Sequence, residues 1–502
     1  MSPNDNDNDG LPGVFTDTTP GPAPNGLGQG LFATKAIPAG GDVLNIKTPF
    51  VAVLDTERLG DTCSGCFGRR YFGGDDVSLR ACTGCRVLRY CDRTCQSKDW
   101  KLAHSLECPT FKKLNPRVLP NNARAVLRIV QRVQRGRYTP AELGRFAQLE
   151  THEAAIRAEN PRQWERISLS AKAVSAYSGG EMDEGEICEA GAKLDLNSFN
   201  LTNAQYDRIG LYLHPYAALI NHSCAYNAVA GFDGAELFVK AVRPIAKGEQ
   251  VFISYVDTTN PTQLRRQELR ERYFFDCACS KCSASTDEDD HQEQQIIEAF
   301  KLLHSIPAST AADDEGPVQR VERLQSALRS VNASTPCPIT SQPIVALRDE
   351  LIASLLPAGM FYSAFAHAAV RYVRVDPVVY PFVGHPIRAV HAWALAKLAI
   401  HLSQGGEGGV EGEGEMEVRA AVERLGLNLG LVIWSVLRGL VVGEGAACAV
   451  PGFRGVVGSA FGEVQGEFVR NGIEPGRMGV EIGREWEKVG RLVGGVIEGE
   501  GG

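Results

Sequence analysis

Cysteine is the residue whose spacing carries the clearest chemistry in this chain. Cys63 and Cys66, Cys82 and Cys85, Cys91 and Cys95, and His104 and Cys108 form four pairs with two or three residues between partners. Zinc(II) asks only for four soft or borderline ligands, and a C-x2-C turn presents two thiolates to one ion while its backbone amides offset their charge. Eight such ligands suffice for two tetrahedral ions. The stretch 63–108 is too short to bury a sizeable core, so bound metal is expected to supply much of its folding energy. A second cluster, Cys277, Cys279 and Cys282, offers three thiolates, one short of a closed structural site. Disulfides are disfavoured. Residues 1–26, rich in Asn, Asp, Pro and Gly, lack the basic start and apolar block of a secretory signal, and a reducing intracellular compartment is expected. The isolated Cys188, Cys337 and Cys448 read as small buried apolar side chains.

Four further segments hold residues suited to binding and transfer chemistry. They are Gly28-Gln29-Gly30-Leu31, Asn197-Ser198-Phe199, Leu219-Ile220-Asn221-His222-Ser223-Cys224, and Lys247-Gly248-Glu249-Gln250-Val251-Phe252-Ile253-Ser254-Tyr255, the last followed by Tyr273-Phe274-Phe275-Asp276. Singly each has a bland reading: a tight glycine turn, a buried Asn-His turn or an ordinary strand tyrosine, or core aromatics at Phe199 and Phe275. In this order they resemble the SET protein-methyltransferase fold. The ligand series at 63–108, with Tyr90 before Cys91 and Trp100 ahead of His104 and Cys108, resembles a MYND zinc finger. Together they resemble the SET and MYND domain-containing lysine methyltransferases over nearly the whole chain.

That resemblance implies an α+β fold in which short SET sheets are split by the MYND finger. A cysteine-rich post-SET segment and an all-α, tetratricopeptide-like carboxy-terminal domain would follow. It implies cross-braced zinc sets, Cys63, Cys66, Cys91 and Cys95 on one ion and Cys82, Cys85, His104 and Cys108 on the other. Cys224 would complete a third with Cys277, Cys279 and Cys282. The implied activity is methyl transfer from S-adenosylmethionine to protein lysines, histone or non-histone, in which positioning and desolvation dominate. Tyr255, Tyr273 and Phe199 would act at the lysine channel. Gly28, Gln29, Gly30, Asn197, Asn221, His222, Tyr255 and Phe275 would hold the cofactor. Two departures from the family pattern stand out: Tyr226 occupies the usual proline position after Cys224, and Leu27 the usual basic position before Gly28.

The elements that must position these groups follow from pattern. Residues 1–24 read as a disordered, solvated tail. Residues 25–62 show short apolar runs broken by Gly and Pro, as short strands joined by tight turns do. After the finger at 63–108, a helical insert is expected at 109–195, core SET strands at 196–275, a post-SET zinc segment at 276–283 and helices at 290–498. Within the last, a helix at 387–402 and a flexible Gly/Glu loop at 404–415 are expected. The apolar stretch Leu425–Leu437, broken by Asn428 and Ser435, is too short to span a membrane. With 52 basic against 60 acidic residues, net charge −8, no protein-wide positive field would hold nucleic acid or an anionic membrane. Arg69, Arg70, Arg80, Arg86, Arg89, Arg93, Lys98 and Lys101 nevertheless make the finger locally basic. A monomer is expected in nucleus and cytoplasm, with a protein substrate bearing a target lysine. The finger would be open to proline-rich peptide partners or, on weaker grounds, nucleic acid. The rival reading is a catalytically inactive adaptor; a zinc hydrolase is disfavoured because twelve ligands fill three closed sites.

Overall fold

The computed structural model describes residues 11–500 except 27, 73–76, 181, 285–292, 295, 300–315, 335–336 and 406–411. The chain divides into two compact units. The first runs to Tyr255 and adds Gln267–Cys277 and Val450–Phe453; the second comprises Val256–Arg266, Ala278–Ala449 and the remainder from Arg454.

The first unit is built on short strands: β1 (Val14–Thr16), β2 (Thr18–Pro22), β3 (Gln29–Ala33), β4 (Asp42–Ile46) and β5 (Val51–Leu54) precede or enter the finger. Two two-residue strands, β6 (Arg80–Ala81) and β7 (Arg89–Tyr90), pair inside it. The series resumes with β8 (Phe199–Thr202), β9 (Arg208–Leu213), β10 (Asn221–His222), β11 (Ala228–Asp233), β12 (Glu236–Ala241) and β13 (Phe252–Ile253). An antiparallel sheet of order β1-β4-β12-β11 puts Leu237, Val239 and Ala241, two residues apart and fully buried, on its core face. Its β11–β12 hairpin turns on Gly234, whose φ of 65° favours glycine. A second antiparallel sheet, β5-β9-β8, opposes Phe199 to Tyr212. The pairing that matters most is parallel: β10 lies beside β13 with Asn221 opposite Phe252 and His222 opposite Ile253. Segments thirty residues apart thereby become neighbours.

The tail expectation is corrected from residue 11 onward. β1 adds to the edge of β4 and β2 pairs with β3, opposing Gly21 to Gly30 and Pro22 to Gln29. Leu11, Val14 and Thr18 are buried, and the Tyr216 hydroxyl donates to the Thr18 carbonyl at 3.0 Å. Composition hid this because the stabilisation comes from strands distant in sequence, and an edge strand tolerates Pro20. Residues 1–10 of the expected tail, and 73–76 in the long gap between Cys66 and Cys82, lie outside the described residues.

The helical insert is present as Asn121–Gln134, Pro140–Ala147, Glu153–Glu159, Pro161–Ser178 and Glu184–Asn197. It shares one hydrophobic core with the strands rather than forming a body of its own, through Val126, Leu127, Val130, Val174, Ile187 and Leu194. Helix Asn121–Gln134 also carries three buried arginines four residues apart. Arg124 donates to the carbonyl of Leu54 (2.8 Å), Arg128 to that of Ala52 (2.9 Å) and Arg132 to that of Phe50 (2.5 Å). Four helical residues and two strand residues advance by similar distances, about 6 Å, so the guanidiniums meet successive outward carbonyls of β5. This satisfies the buried carbonyls of Ala52 and Leu54 on the edge of β5, while that of Phe50, just before the strand, also accepts from the Tyr138 hydroxyl at 2.9 Å.

In the second unit every described element from residue 316 on is helical. Helix Pro386–Ser403 contains the expected segment 387–402. The apolar stretch after Leu425 forms the buried helix Leu429–Val441, its N-terminus capped by the Asn428 side chain on the Leu431 amide. No single described helix is long and apolar enough to cross a membrane. The loop expected at 404–415 is corrected at its far end: Glu413 already opens helix Glu413–Leu425. Within that turn Glu415 is buried because its carboxylate accepts the Tyr362 and Ser363 amides (2.7 and 3.0 Å) at the start of helix Phe361–Val370. Residues 406–411 of that loop lie outside the described residues.

Candidate active site and metal centres

Twelve ligand residues gather into three sets of four: Cys63, Cys66, Cys91 and Cys95; Cys82, Cys85, His104 and Cys108; and Cys224, Cys277, Cys279 and Cys282. Within each set the ligand atoms all lie within 4.8 Å of one another. A tetrahedral zinc thiolate site with Zn–S bonds near 2.3 Å requires sulfurs about 3.8 Å apart. The Cys66–Cys91, Cys91–Cys95 and Cys82–Cys108 sulfurs are 3.8, 3.4 and 3.9 Å apart, so the donor sets fit zinc. The interleaving is the cross-braced one expected, and none of the 14 cysteines forms a disulfide. Cys63 is held down to about 5, first by the Cys66 thiol and, against burial, by the Cys91, Cys66 and Gly65 amides. His104 turns Nε2 toward Cys82 and Cys85 (3.3 and 3.6 Å) and leaves Nδ1 3.9 Å from Glu107. Glu107 in turn holds Arg128 through two hydrogen bonds (2.6 and 2.8 Å). At 3.9 Å the carboxylate makes no hydrogen bond to the ring, and against burial its charge raises the ring's basicity.

The β10–β13 pairing builds the second centre. Tyr255, just past β13, donates its amide to His222 Nδ1 at 3.0 Å, so in the neutral ring the proton resides on Nε2, 3.3 Å from the Cys224 sulfur. The His222 ring lies 5.3 Å from Tyr255 and 5.8 Å from Phe275, and Tyr255 lies 5.0 Å from Tyr273. Phe274 takes a positive φ of 61°, unusual for an aromatic residue, and packs toward His152 while its two neighbours join the cluster. The Tyr255 hydroxyl donates to the Ile220 carbonyl at 2.6 Å, and burial, with a smaller contribution from Tyr273, pushes its ionisation above the ordinary tyrosine range. It is a protonated phenol at neutral pH. Gly28 (φ 68°) ends the hairpin loop that joins β2 to β3, buried Gly30 follows in β3, and Asn221 Nδ2 donates to the Gln29 carbonyl between them at 3.0 Å. A Cβ on Gly30 would collide with the Gln250 carboxamide and come within 3.1 Å of Asn221 Nδ2.

A SET domain family profile matches residues 28–256. Over 388 residues, 74% of this chain and 86% of the relative, the sequence is 26% identical to histone-lysine N-methyltransferase SMYD3 of Mus musculus. It is 30% identical over 273 residues to SET domain and MYND-type zinc finger protein 6 of Schizosaccharomyces pombe, covering 54% of this chain and about half, 52%, of that protein. It is 30% identical over 295 residues to N-lysine methyltransferase SMYD2 of Gallus gallus, covering 58% of this chain and 64% of the relative. The chain carries a SET domain, and its similarity to SET and MYND domain-containing methyltransferases extends over 74% of its length.

Within this SET domain the residues expected at the site divide. Gly28, Gln29, Gly30 and Asn221 meet at the turn, while His222, Tyr255, Tyr273 and Phe275 form the aromatic cluster. Both nitrogens of His222 are engaged within the protein, so its backbone is what remains to offer a ligand. Asn197 ends helix Glu184–Asn197 and spends its amide on the carbonyls of Lys193 and Glu150 (2.7 and 3.0 Å). Phe199 stands edge-on to Tyr212 and lines a recess with Arg272, whose guanidinium lies 5.2 Å from the Tyr273 ring. Of the two departures, Tyr226 is buried and leaves Cys224 in its set, and Leu27 lies outside the described residues. Sequence reasoning missed Gln250, the Ile220 carbonyl and the Glu107–Arg128 pair behind the MYND finger. The spacing of Arg124, Arg128 and Arg132, four residues apart on a helical stretch, is a signal that could have pointed to a shared partner.

Proposed function

We propose that this SET and MYND protein is a protein-lysine methyltransferase that uses S-adenosylmethionine. The observation that carries the reading is the meeting of the Tyr255, Tyr273, His222 and Phe275 rings beside the Gly28–Gly30 turn and Asn221. When bound, S-adenosylmethionine supplies an electrophilic methyl group on a sulfonium. The positive φ at Gly28, where a side chain would meet nothing within 4 Å, leaves backbone open for close approach, and Asn221 and the Gln29 carbonyl offer polar contacts there. Phe275 offers a ring face for a base, and the His222 backbone completes the binding set; Asn197, which the resemblance puts there, has its amide nitrogen committed to Lys193 and Glu150 and keeps only its carboxamide oxygen for a ligand.

Tyr255 does the positioning. Because its proton is committed to Ile220, the oxygen keeps its remaining lone-pair density for weak C–H···O contacts, which sharpen a geometry without acid-base chemistry. Tyr273, Tyr255 and Phe199 would wall the lysine entry, and a dry aromatic lining lowers the amine pKa by disfavouring its charged form, easing loss of the one proton the reaction must shed. A lysine on a histone or another protein is the substrate class. Nuclear and cytoplasmic residence, a monomeric state and a proline-rich peptide for the MYND finger belong to the same proposal, supported by the family resemblance. Its test is transfer of labelled methyl from S-adenosylmethionine into histones and a cell lysate. The expected result is labelled lysine that Tyr255→Phe abolishes or nearly so; no transfer by the wild type would favour an inactive adaptor.

A further inference from the structure

One buried polar group in the SET domain has no task in the fold. Gln250 is 7% exposed, yet neither Nε2 nor Oε1 of its side chain has a hydrogen-bond partner among the described residues. Its backbone carbonyl, by contrast, accepts from Asn227 Nδ2 at 2.8 Å, and the residue stands opposite Phe32 of β3. Two unsatisfied amide groups at such a depth are costly, and a hydrophobic side chain of similar size would remove that cost. The carboxamide packs against the one face of Gly30 that lacks a side chain, next to the Asn221 amide. Glycine at position 30 therefore makes room for Gln250.

We propose that the Gln250 carboxamide binds the amino-acid end of the cofactor, Oε1 accepting from its ammonium and Nε2 donating to its carboxylate. The proposal rests on the methyltransferase reading above. A primary amide offers a donor and an acceptor side by side without net charge, which suits a zwitterion, whereas an acidic side chain there would repel the carboxylate and a basic one the ammonium. The position fits the same end, since the carboxamide lies against Gly30 and beside Asn221, whose amide in turn holds the Gln29 carbonyl at the start of β3, directly after the 23–28 hairpin loop that ends on Gly28.

Calorimetric titration of the full chain with S-adenosylhomocysteine and with 5′-methylthioadenosine, which keeps the nucleoside and thioether but lacks the amino-acid end, tests this. Gln250→Met should weaken S-adenosylhomocysteine binding about 10- to 30-fold, the effect of losing two hydrogen bonds. It should leave methylthioadenosine within about twofold of wild type, as expected for a contact to the missing group. The melting temperature of the ligand-free variant should be unchanged or raised, because two unpaired polar atoms are gone. Unchanged S-adenosylhomocysteine affinity would overturn the proposal while leaving the methyltransferase reading intact, and so would equal losses for both ligands. Wild-type protein that binds neither ligand would overturn the reading and the proposal together. Gln250→Leu serves the same comparison should the methionine variant fail to fold.

Discussion

Tyr255 and Asn221 divide the labour of the candidate site, and replacing each should show it. Tyr255→Phe removes a hydroxyl argued to act on the reacting geometry, so turnover should fall at least 100-fold, about 3 kcal/mol of transition-state stabilisation, while S-adenosylhomocysteine affinity stays within about twofold. Asn221→Ala should do the reverse, weakening cofactor binding about tenfold through a lost contact and a loosened turn, as calorimetry would report. Tyr255, Asn221 and Phe275 were legible through the order of their segments along the chain, since alone each has a bland reading as a strand tyrosine, a buried turn or a core aromatic. Gln250 was not: its significance depends on what it fails to touch, and only the fold shows that. Asn197 marks the opposite limit, since the motif that singles it out does not reveal that its amide closes a helix on Lys193 and Glu150.

Helix Asn121–Gln134 links elements that sequence order keeps apart. Its Arg128 bonds the Ala52 carbonyl of β5 and the Glu107 carboxylate behind His104, and lies 3.6 Å from Asp99. Glu107→Gln would leave a buried guanidinium without its main counter-charge, at a cost of about 3–5 kcal/mol. Adding Arg128→Met should recover part of the loss, so the two substitutions should combine non-additively in chemical denaturation. Simple additivity would mean that the pair is not coupled. The helix itself was legible from apolar residues at helical spacing, but its partner was not, because a strand edge needing donors has no signature in one sequence. The same holds for β1 and β2, whose composition reads as tail until β4 and β3 are in place to pair with them.

At the scale of the molecule, three ligand sets predict three zinc ions per chain, and elemental analysis of metal-purified protein should return that ratio. Cys277→Ser should lower it to two while the MYND finger keeps its pair; loss of all three would mean that the sets do not fold independently. Acid stability is a second molecular property. His214 in the first unit and His367 and His385 in the second are each held down to about 3, from an ordinary 6.5, chiefly by burial. Each is therefore neutral when folded and protonates on unfolding below pH 6.5. Its contribution is complete above 6.5 and declines as pH falls toward 3, by about 1.4 kcal/mol per pH unit for each histidine. Urea denaturation between pH 7.5 and 5.5 should show the onset of that slope, about 1.4 kcal/mol per histidine in all over those two units, and His214→Asn should remove one histidine's share; an unchanged profile would place His214 in contact with water. The modular plan was legible from cysteine spacing and motif order. That the insert is no separate module was not, since shared cores are a property of packing.

The arginine ladder also limits its own length. Four residues of α-helix advance about 6.0 Å while two residues of strand advance about 6.6 Å, so each rung falls about 0.6 Å behind the carbonyl it serves. By the third rung the lag is about 1.2 Å, within what a long guanidinium stem absorbs, and a fourth and fifth would reach about 2.4 Å. A straight helix reading a straight strand edge thus behaves as a vernier that stays in phase for only three or four marks. An insertion of one residue between Arg124 and Arg132 would rotate every later mark by about 100° off the strand. Length changes in this family should therefore collect in the turns around this helix and leave the helix itself untouched.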